Sequence, residues 1–324
     1  MFDAISWIIF IVLVGGLLAL DLLVFHRHAR AVSMREAAAW VTVWVILGLG
    51  FGAFIFATRG PTTGAEYLAG YLIEYSLSMD NVFVFAVLFG YFAVPPAYQH
   101  RLLFWGVLGA IVFRAIFIVG GTVLLDSFHV VIYFFGALLL YTAWRMVRAG
   151  TGHVDPANNP VLRLVRRVIP VTESYEGQSF FVRRNGKLWA TPLFAALVVI
   201  ESSDIMFAID SVPAILAITT DPFIVFTSNA FAIMGLRSLY FLLAGLIDRF
   251  EYLKYGLAAL LAFAGLKMLT SDIFHLDVWL SLGIIVGILG ISILVSLLAT
   301  RGQDIGEDPP GPDLIRAEPD PPST

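Results

Sequence analysis

Long apolar runs separated by short polar segments dominate the pattern of this chain. A helix that crosses a bilayer needs about 20 largely apolar residues, and nine segments reach roughly that length. They cover residues 4–25, 37–57, 65–93, 102–124, 128–147, 191–218, 223–247, 251–270 and 277–299. The pattern therefore predicts an all-α, polytopic membrane protein with about nine transmembrane helices.

Two segments do not fit the apolar pattern. Residues 148–190 are polar, and the dipeptide Asn185-Gly186 between apolar residues predicts a β-hairpin. We interpret this segment as a small cytoplasmic cap rather than a regulatory domain. Residues 301–324 are rich in Pro, Asp and Glu, which predicts a disordered tail. The predicted units are two N-terminal helices (1–63), a three-helix unit (64–147), the cytoplasmic loop (148–190), a second three-helix unit (191–270), a ninth helix (271–300) and the tail.

Composition narrows the class of protein further. Hydrophobic residues make up 59% of the 324 positions and charged residues 14%, whereas soluble domains contain about 25% charged residues. This excludes a water-soluble enzyme, and the net charge of −4 argues against a nucleic-acid binder. The chain has no cysteine, which excludes disulfides, thiolate metal sites and thiol catalysis. We expect no enzymatic activity and no resident cofactor.

The basic residues predict the orientation, because cytoplasmic loops collect Lys and Arg. Fourteen basic residues fall on one side of the predicted spans: Arg27, Arg30, Arg35, Arg101, Arg145, Arg148, Arg163, Arg166, Arg167, Arg183, Arg184, Lys187, Arg249 and Lys254. Arg59 and Lys267 fall on the other side. The distribution predicts a multi-pass protein of the cell (inner) membrane, with its N-terminus outside and its C-terminus in the cytoplasm.

The third and sixth spans begin two similar units. Each span contains an acid, five other residues, an aspartate and a small polar residue: Glu74, Asp80 and Asn81 in the first, Asp204, Asp210 and Ser211 in the second. The next span of each unit carries one arginine within the membrane, Arg114 or Arg237, and residues 133–146 then resemble 255–268. Because three spans are an odd number, the two copies would enter the membrane from opposite sides. Such inverted repeats are typical of transporters that bind their substrate near the midplane.

Six acidic side chains lie within the predicted spans and more than two residues from either end: Asp21, Glu74, Asp80, Glu201, Asp204 and Asp210. An ionised carboxylate at a helix centre costs about 2.5–3.5 kcal/mol even on the lenient insertion scale. Pairing with Arg114 and Arg237 would leave four acids unneutralised, and this surplus favours a cation site. Asp21 has an alternative interpretation, because it lies near the end of its span and could snorkel or pair with Arg27.

Helical geometry leaves the ligand set open. Glu74, Ser78 and Asn81 share one helix face, whereas Asp80 points about 120° away, and Glu201 and Asp210 fall on opposite faces. One ion could not reach all of these acids unless the helices unwind or the site is split. In the sixth span, Pro213 frees a backbone carbonyl as a possible ligand. Oxygen ligands suit Mg, Ca and Mn. Met79 and Met206 are either soft ligands or lipid-facing or packing residues.

Five segments carry a family resemblance. They are Ala19-Leu-Asp21-Leu-Leu-Val-Phe-His-Arg27, Glu74-x-x-Leu-Ser-x-Asp80-Asn81, Glu201-x-x-Asp204-x-x-Phe-Ala-x-Asp210-Ser211-x-Pro213, Asp221-Pro-Phe-Ile-Val-Phe-Thr-Ser-Asn229 and Gly235-Leu-Arg237-Ser-Leu-Tyr-Phe. Together they resemble the TerC/Alx family of integral membrane proteins, over about residues 10 to 300. The resemblance implies a transporter of the lysine-exporter superfamily with two inverted three-helix units, and manganese export for its Alx-like branch. By motif position it implies a metal site formed by Glu74, Asp80, Glu201, Asp204 and Asp210, with Asn81 and Ser211 as neutral ligands.

Three functions compete at this point. The first is a secondary transporter that exports a divalent metal, with Mn²⁺ as the favoured ion, protons as counter-ion and Asp21, Arg114 and Arg237 as supporting residues. The second is a membrane scaffold of a metal or tellurium stress-response complex, without transport activity. The third is an intramembrane aspartyl protease that uses Asp80 and Asp210, but no recognisable protease signature accompanies them. The surplus of acids and the repeat favour the first, and protein partners are not predictable from the sequence.

Overall fold

The computed structural model describes residues 2–25, 34–149, 160–172, 174–184, 186–243, 253–274 and 276–299. These form eleven helices and two strands, in the order α1 (Phe2–Phe25), α2 (Met34–Arg59), α3 (Pro61–Tyr91), α4 (Pro96–Ser127), α5 (Val131–Ala149), α6 (Pro160–Val168), β1 (Phe181–Arg184), β2 (Lys187–Ala190), α7 (Pro192–Leu216), α8 (Pro222–Met234), α9 (Leu236–Leu243), α10 (Leu253–Leu269) and α11 (Val278–Ala299). The predicted tail, residues 301–324, lies outside the described residues.

The helices account for the apolar runs of the sequence. Within the described part of the chain, seven helical segments are long and apolar enough to cross a membrane, and they correspond to the second to seventh and the ninth predicted spans. The first and eighth predicted spans also coincide with helices, namely α1 with 24 residues and α10 with 17 residues. The protein is thus a polytopic helical membrane protein, and the number of nine spans stays a prediction.

The seventh predicted span, residues 223–247, is not one regular helix. It consists of α8 and α9, which meet at Gly235, and its last four residues lie outside the described ranges. After proline, glycine is the residue type that most weakens a helix interior. A Cβ at Gly235 would lie 3.3 Å from the Cβ of Trp44 on α2, so the glycine also permits close contact between the two helices.

The spanning helices pack in reciprocal pairs. Helix α3 packs on α8 and α7 packs on α4, while α3 contacts α7 and α5 contacts α10. If α3–α5 and α7–α10 are two related units, α3 corresponds to α7, α4 to α8–α9 and α5 to α10. The first helix of each unit is then expected to pack on the second helix of the other unit, as α3 does on α8 and α7 does on α4. The inverted direction of the two units, and the position of the termini relative to the membrane, stay predictions.

A small cap covers one end of the bundle. Strands β1 and β2 pair antiparallel, from Phe181 opposite Ala190 to Arg184 opposite Lys187, and the two-residue connection ends at Gly186 with φ 74°. The Tyr175 hydroxyl donates a 2.7 Å hydrogen bond to the carbonyl of Phe92 at the end of α3. Burial raises the pKa of Tyr175, so this donor stays protonated at neutral pH and ties the cap to the bundle.

Candidate metal centre

Glu74 is the most deeply buried acid of the described residues. Its side chain lies on α3 and is 0% exposed. Its Oε1 atom forms an ion pair with Nη1 of Arg114 and accepts a 3.1 Å hydrogen bond from the Ser78 hydroxyl one turn later. The second carboxylate oxygen, Oε2, has no hydrogen-bond donor. Half of this carboxylate is thus satisfied, and the other half has spare acceptor capacity.

Arg114 connects four helices at the centre of the bundle. It lies on α4, is 2% exposed, and its Nη1 atom pairs with Glu74 of α3. The same nitrogen donates to Oγ of Ser211 on α7 at 2.8 Å and to Oδ1 of Asn229 on α8 at 2.7 Å. Because guanidinium remains charged under all physiological conditions, a positive charge lies among oxygen acceptors drawn from both predicted units.

Several buried carboxylate and amide oxygens of α3 and α7 have no hydrogen-bond donor. Both carboxylate oxygens of Asp204 on α7 are buried without a donor, although the charges of Arg114 and Glu74 act on this side chain. Oδ1 of Asn81 and Oε2 of Glu201 are likewise buried and without a donor. Together with Glu74 Oε2 they make five buried acceptor oxygens. Buried acceptors without partners are rare in folded proteins and call for an explanation, such as a bound cation.

Unbroken helices divide the predicted ligand set. Both α3 and α7 continue through their acidic segments, and α7 includes Pro213 without ending there. Glu74 and Asn81 therefore share a face of α3, and Asp204 and Ser211, also seven residues apart, share a face of α7. Each face contributes a contact to Arg114, through Glu74 on α3 and Ser211 on α7. Neither helix is unwound, and the division of the ligand set between separate sites stays a prediction.

Asp210 lies on the other side of α7. Its Oδ1 atom accepts a 2.9 Å hydrogen bond from the Thr142 hydroxyl of α5, and the charge of Arg145 acts on it. Two further predicted residues, Asp21 and Asp80, have side chains outside the described set. Arg237 is buried on α9.

Among the described residues, no three acids or histidines are close enough to form a metal cluster by themselves. Neutral oxygen ligands or a smaller separation of α3 and α7 are therefore needed to complete a coordination shell.

Three residues of the site were not identified as such from the sequence. Asn229 accepts a hydrogen bond from Arg114; it ends the segment 221–229 that carries the family resemblance, but nothing in the sequence pattern assigns it to the site. Thr142 binds Asp210, but a single threonine in an apolar helix carries no clear signal. Gly109 of α4 faces Glu201, and a Cβ there would lie 2.1 Å from Oε1 of that acid. Met206, by contrast, is 57% exposed on α7, which agrees with a lipid-facing side chain and not with a soft ligand.

Comparison with known proteins gives a consistent result. The family model described as "Integral membrane protein TerC family" matches residues 59–304. An uncharacterized membrane protein of Myxococcus xanthus is 49% identical over 91% of this chain and 92% of its own length. A protein of Escherichia coli K12, named "Putative membrane-bound redox modulator Alx", is 48% identical over 92% of this chain and 96% of its own length. No solved structure matches the chain significantly.

Proposed function

We propose that this chain, which belongs to the TerC family of integral membrane proteins, exports a divalent metal ion through the site around Glu74, Arg114 and Asp204. The observation that carries the proposal is the set of five buried oxygens without donors. Carboxylates held inside a bilayer without compensation are costly, and a divalent cation compensates them. Arg114 forms an ion pair with the fully buried acid Glu74.

Arg114 acts in this proposal as a tethered cation that competes with the metal. Its Nη1 atom engages Glu74 Oε1 and Ser211 Oγ, which are both proposed metal ligands. The guanidinium and the metal cannot use these oxygens at the same time. We propose that the metal takes these two oxygens in addition to the donor-free ones and so displaces Arg114, whose return restores charge balance once the ion has left. The exchange gives the site two states of similar charge, as a transport cycle requires.

The donor set favours manganese. Carboxylate, amide and hydroxyl oxygens are hard ligands that suit Mg, Ca and Mn, whereas zinc is held most selectively by Cys and His. The chain has no cysteine. Mg²⁺ demands near-ideal octahedral geometry and loses its water reluctantly, which disfavours it at a site built from two continuous helices. Mn²⁺ tolerates this irregular oxygen environment and is the expected substrate.

Export of the ion requires coupling to another gradient. Moving a divalent cation out against an inside-negative potential costs about 4.6 kcal/mol per 100 mV, twice the single-charge value. The sequence contains no phosphate-binding glycine loop of the P-loop type. Protons that enter from outside can protonate the same carboxylates that bind the metal, and so release it. We therefore propose exchange of metal for protons.

Manganese flux into proteoliposomes tests this function. With purified protein, we expect flux that accelerates when a pH gradient of the correct sign is imposed, accompanied by proton counterflow measured with a trapped pH dye. Mg²⁺ and Zn²⁺ in excess should compete weakly. Manganese flux that ignores the pH gradient would contradict the coupling, and absence of any metal flux would favour the scaffold without transport.

Replacement of Gly109 with alanine is expected to reduce flux without destabilising the fold. The new Cβ would overlap the Glu201 carboxylate, at 2.1–2.3 Å, and the flexible side chain would move away from the site. Groups that orient metal ligands typically contribute about 10–100-fold in affinity or activity, and we expect a loss in that range. Gly120→Ala on the same helix is the matched control, because no atom lies within 4 Å of a Cβ there. Equal flux in the two variants would show that Glu201 is not a metal ligand.

The name of the Escherichia coli relative suggests redox modulation. For this chain, thiol chemistry cannot be the direct means of such modulation. Because the sequence has no cysteine, the protein cannot itself exchange thiols and disulfides. Export of a redox-active metal ion is compatible with such a name and needs no thiol.

A further inference from the structure

Helix α6 has an apolar face that the described chain leaves exposed. Leu164 is 60% exposed, Val168 70% and Val161 40%, and the spacing of these three residues places them on one side of the helix. The side that carries Leu162, which is 1% exposed, belongs to the buried cluster that also contains Leu193 of α7. Helix α6 is thus attached to the bundle by one face and presents another to its surroundings.

Basic side chains border this exposed face. Arg163 and Arg167 are exposed on α6, and the hairpin contributes exposed Arg183 and Lys187. Among the described residues, none of these four forms an ion pair with a carboxylate, whereas the neighbouring Arg184 is paired with Glu176. We call the set of Leu164, Val168, Arg163, Arg167, Arg183 and Lys187 the α6 surface. It combines apolar area with uncompensated positive charge.

The α6 surface lies at the end of a membrane-spanning helix. Helix α6 packs on α7 through Leu162, which shares a buried cluster with residues in the first turns of that helix. The hairpin ends at Ala190, two residues before α7 begins at Pro192. This is the level at which a spanning helix passes from hydrocarbon to headgroups. A short helix with an apolar face and flanking arginines at that level lies in the plane of the interface.

We propose that the α6 surface binds acidic phospholipid headgroups of the adjacent leaflet. Leu164 and Val168 insert between the acyl chains, while the basic side chains contact the lipid phosphates. The charge of the surface is complementary to an anionic membrane, and its apolar residues need a partner that is itself apolar just below its charged layer. This combination selects a lipid surface over an acidic soluble protein. The inference does not depend on metal transport.

Site-directed spin labelling tests the proposal directly, because the chain has no native cysteine. Single variants Leu164→Cys and Val168→Cys of the full-length protein carry a nitroxide in nanodiscs of phosphatidylcholine with or without phosphatidylglycerol. We expect both labels to be reached by oxygen and protected from a water-soluble nickel complex when phosphatidylglycerol is present. Ser174→Cys, at an exposed position of the cap, is the control and should remain open to nickel.

Removal of the charges should reverse the protection. Adding Arg163→Gln and Arg167→Gln to the Val168→Cys protein should shift the ratio of inserted to exposed label about 30-fold, from about 1 kcal/mol for each basic residue near an anionic surface. High salt should act in the same direction. Equal nickel access in both lipid compositions would overturn the proposal. So would broadening of the spectrum by spin–spin contact between the labels of two protein copies, since this would indicate cover by a second copy of the chain.

Discussion

Asp204→Asn is expected to abolish metal flux while the protein still folds and inserts. The substitution is nearly isosteric, and neither carboxylate oxygen of Asp204 accepts a hydrogen bond in the structure, so no internal contact is lost. It also removes a charge that is costly within the bilayer. Metal binding, however, loses an anionic ligand and gains an amide hydrogen that repels a cation. Mutation of residues that only hydrogen-bond to a metal ligand typically reduces metal affinity or activity by about 10–100-fold. We therefore expect loss of a direct ligand to reduce flux to background.

Flux in proteoliposomes and thermal unfolding in detergent measure the two halves of this expectation. Asp272→Asn is the matched control, since it makes the same chemical change at an exposed carboxylate that pairs with Tyr133 and His129. It should leave flux unchanged. A folded Asp204→Asn protein with wild-type flux would show that Asp204 is not a ligand. The same experiment with Asp210→Asn asks whether the acid that binds Thr142 belongs to the same ion path.

Arg114→Gln is expected to destabilise the protein strongly and to make its stability depend on manganese. Removing one partner of a buried ion pair leaves an uncompensated charge, which costs about 3–5 kcal/mol. Here that charge is Glu74, which is 0% exposed. A bound metal ion would replace the missing guanidinium, so manganese should raise the unfolding temperature of the variant more than that of the wild type. Flux should nevertheless be lost, because no tethered cation restores the site after release.

The double variant Glu74→Gln/Arg114→Gln separates charge balance from metal binding. It carries neither charge, so it should regain most of the stability in the absence of metal, but it should neither bind manganese tightly nor transport it. Thermal unfolding with and without manganese, run on all four members of the cycle, gives the coupling between the two side chains. Identical manganese stabilisation of the wild type and Arg114→Gln would contradict the competition between arginine and metal.

The sequence by itself determined the class of this protein and its principal acids. Apolar runs of spanning length follow from the thickness of the bilayer, and acids such as Glu74 and Asp204 stand out because a carboxylate in hydrocarbon is costly wherever its helix lies. Both arguments use properties of a single segment. They therefore survive without knowledge of how the helices are arranged, and the TerC family match agrees with them.

Only the tertiary structure decided which of these residues meet. It showed that α7 continues through Pro213, that Asp210 turns away to Thr142 of α5, and that Arg114 binds Ser211 and Asn229 as well as Glu74. These contacts depend on the rotation and depth of each helix relative to its neighbours. Because lipid and protein interior are almost equally apolar, the hydrophobic pattern of a spanning helix does not fix its rotation, and close packing and polar contacts between helices do.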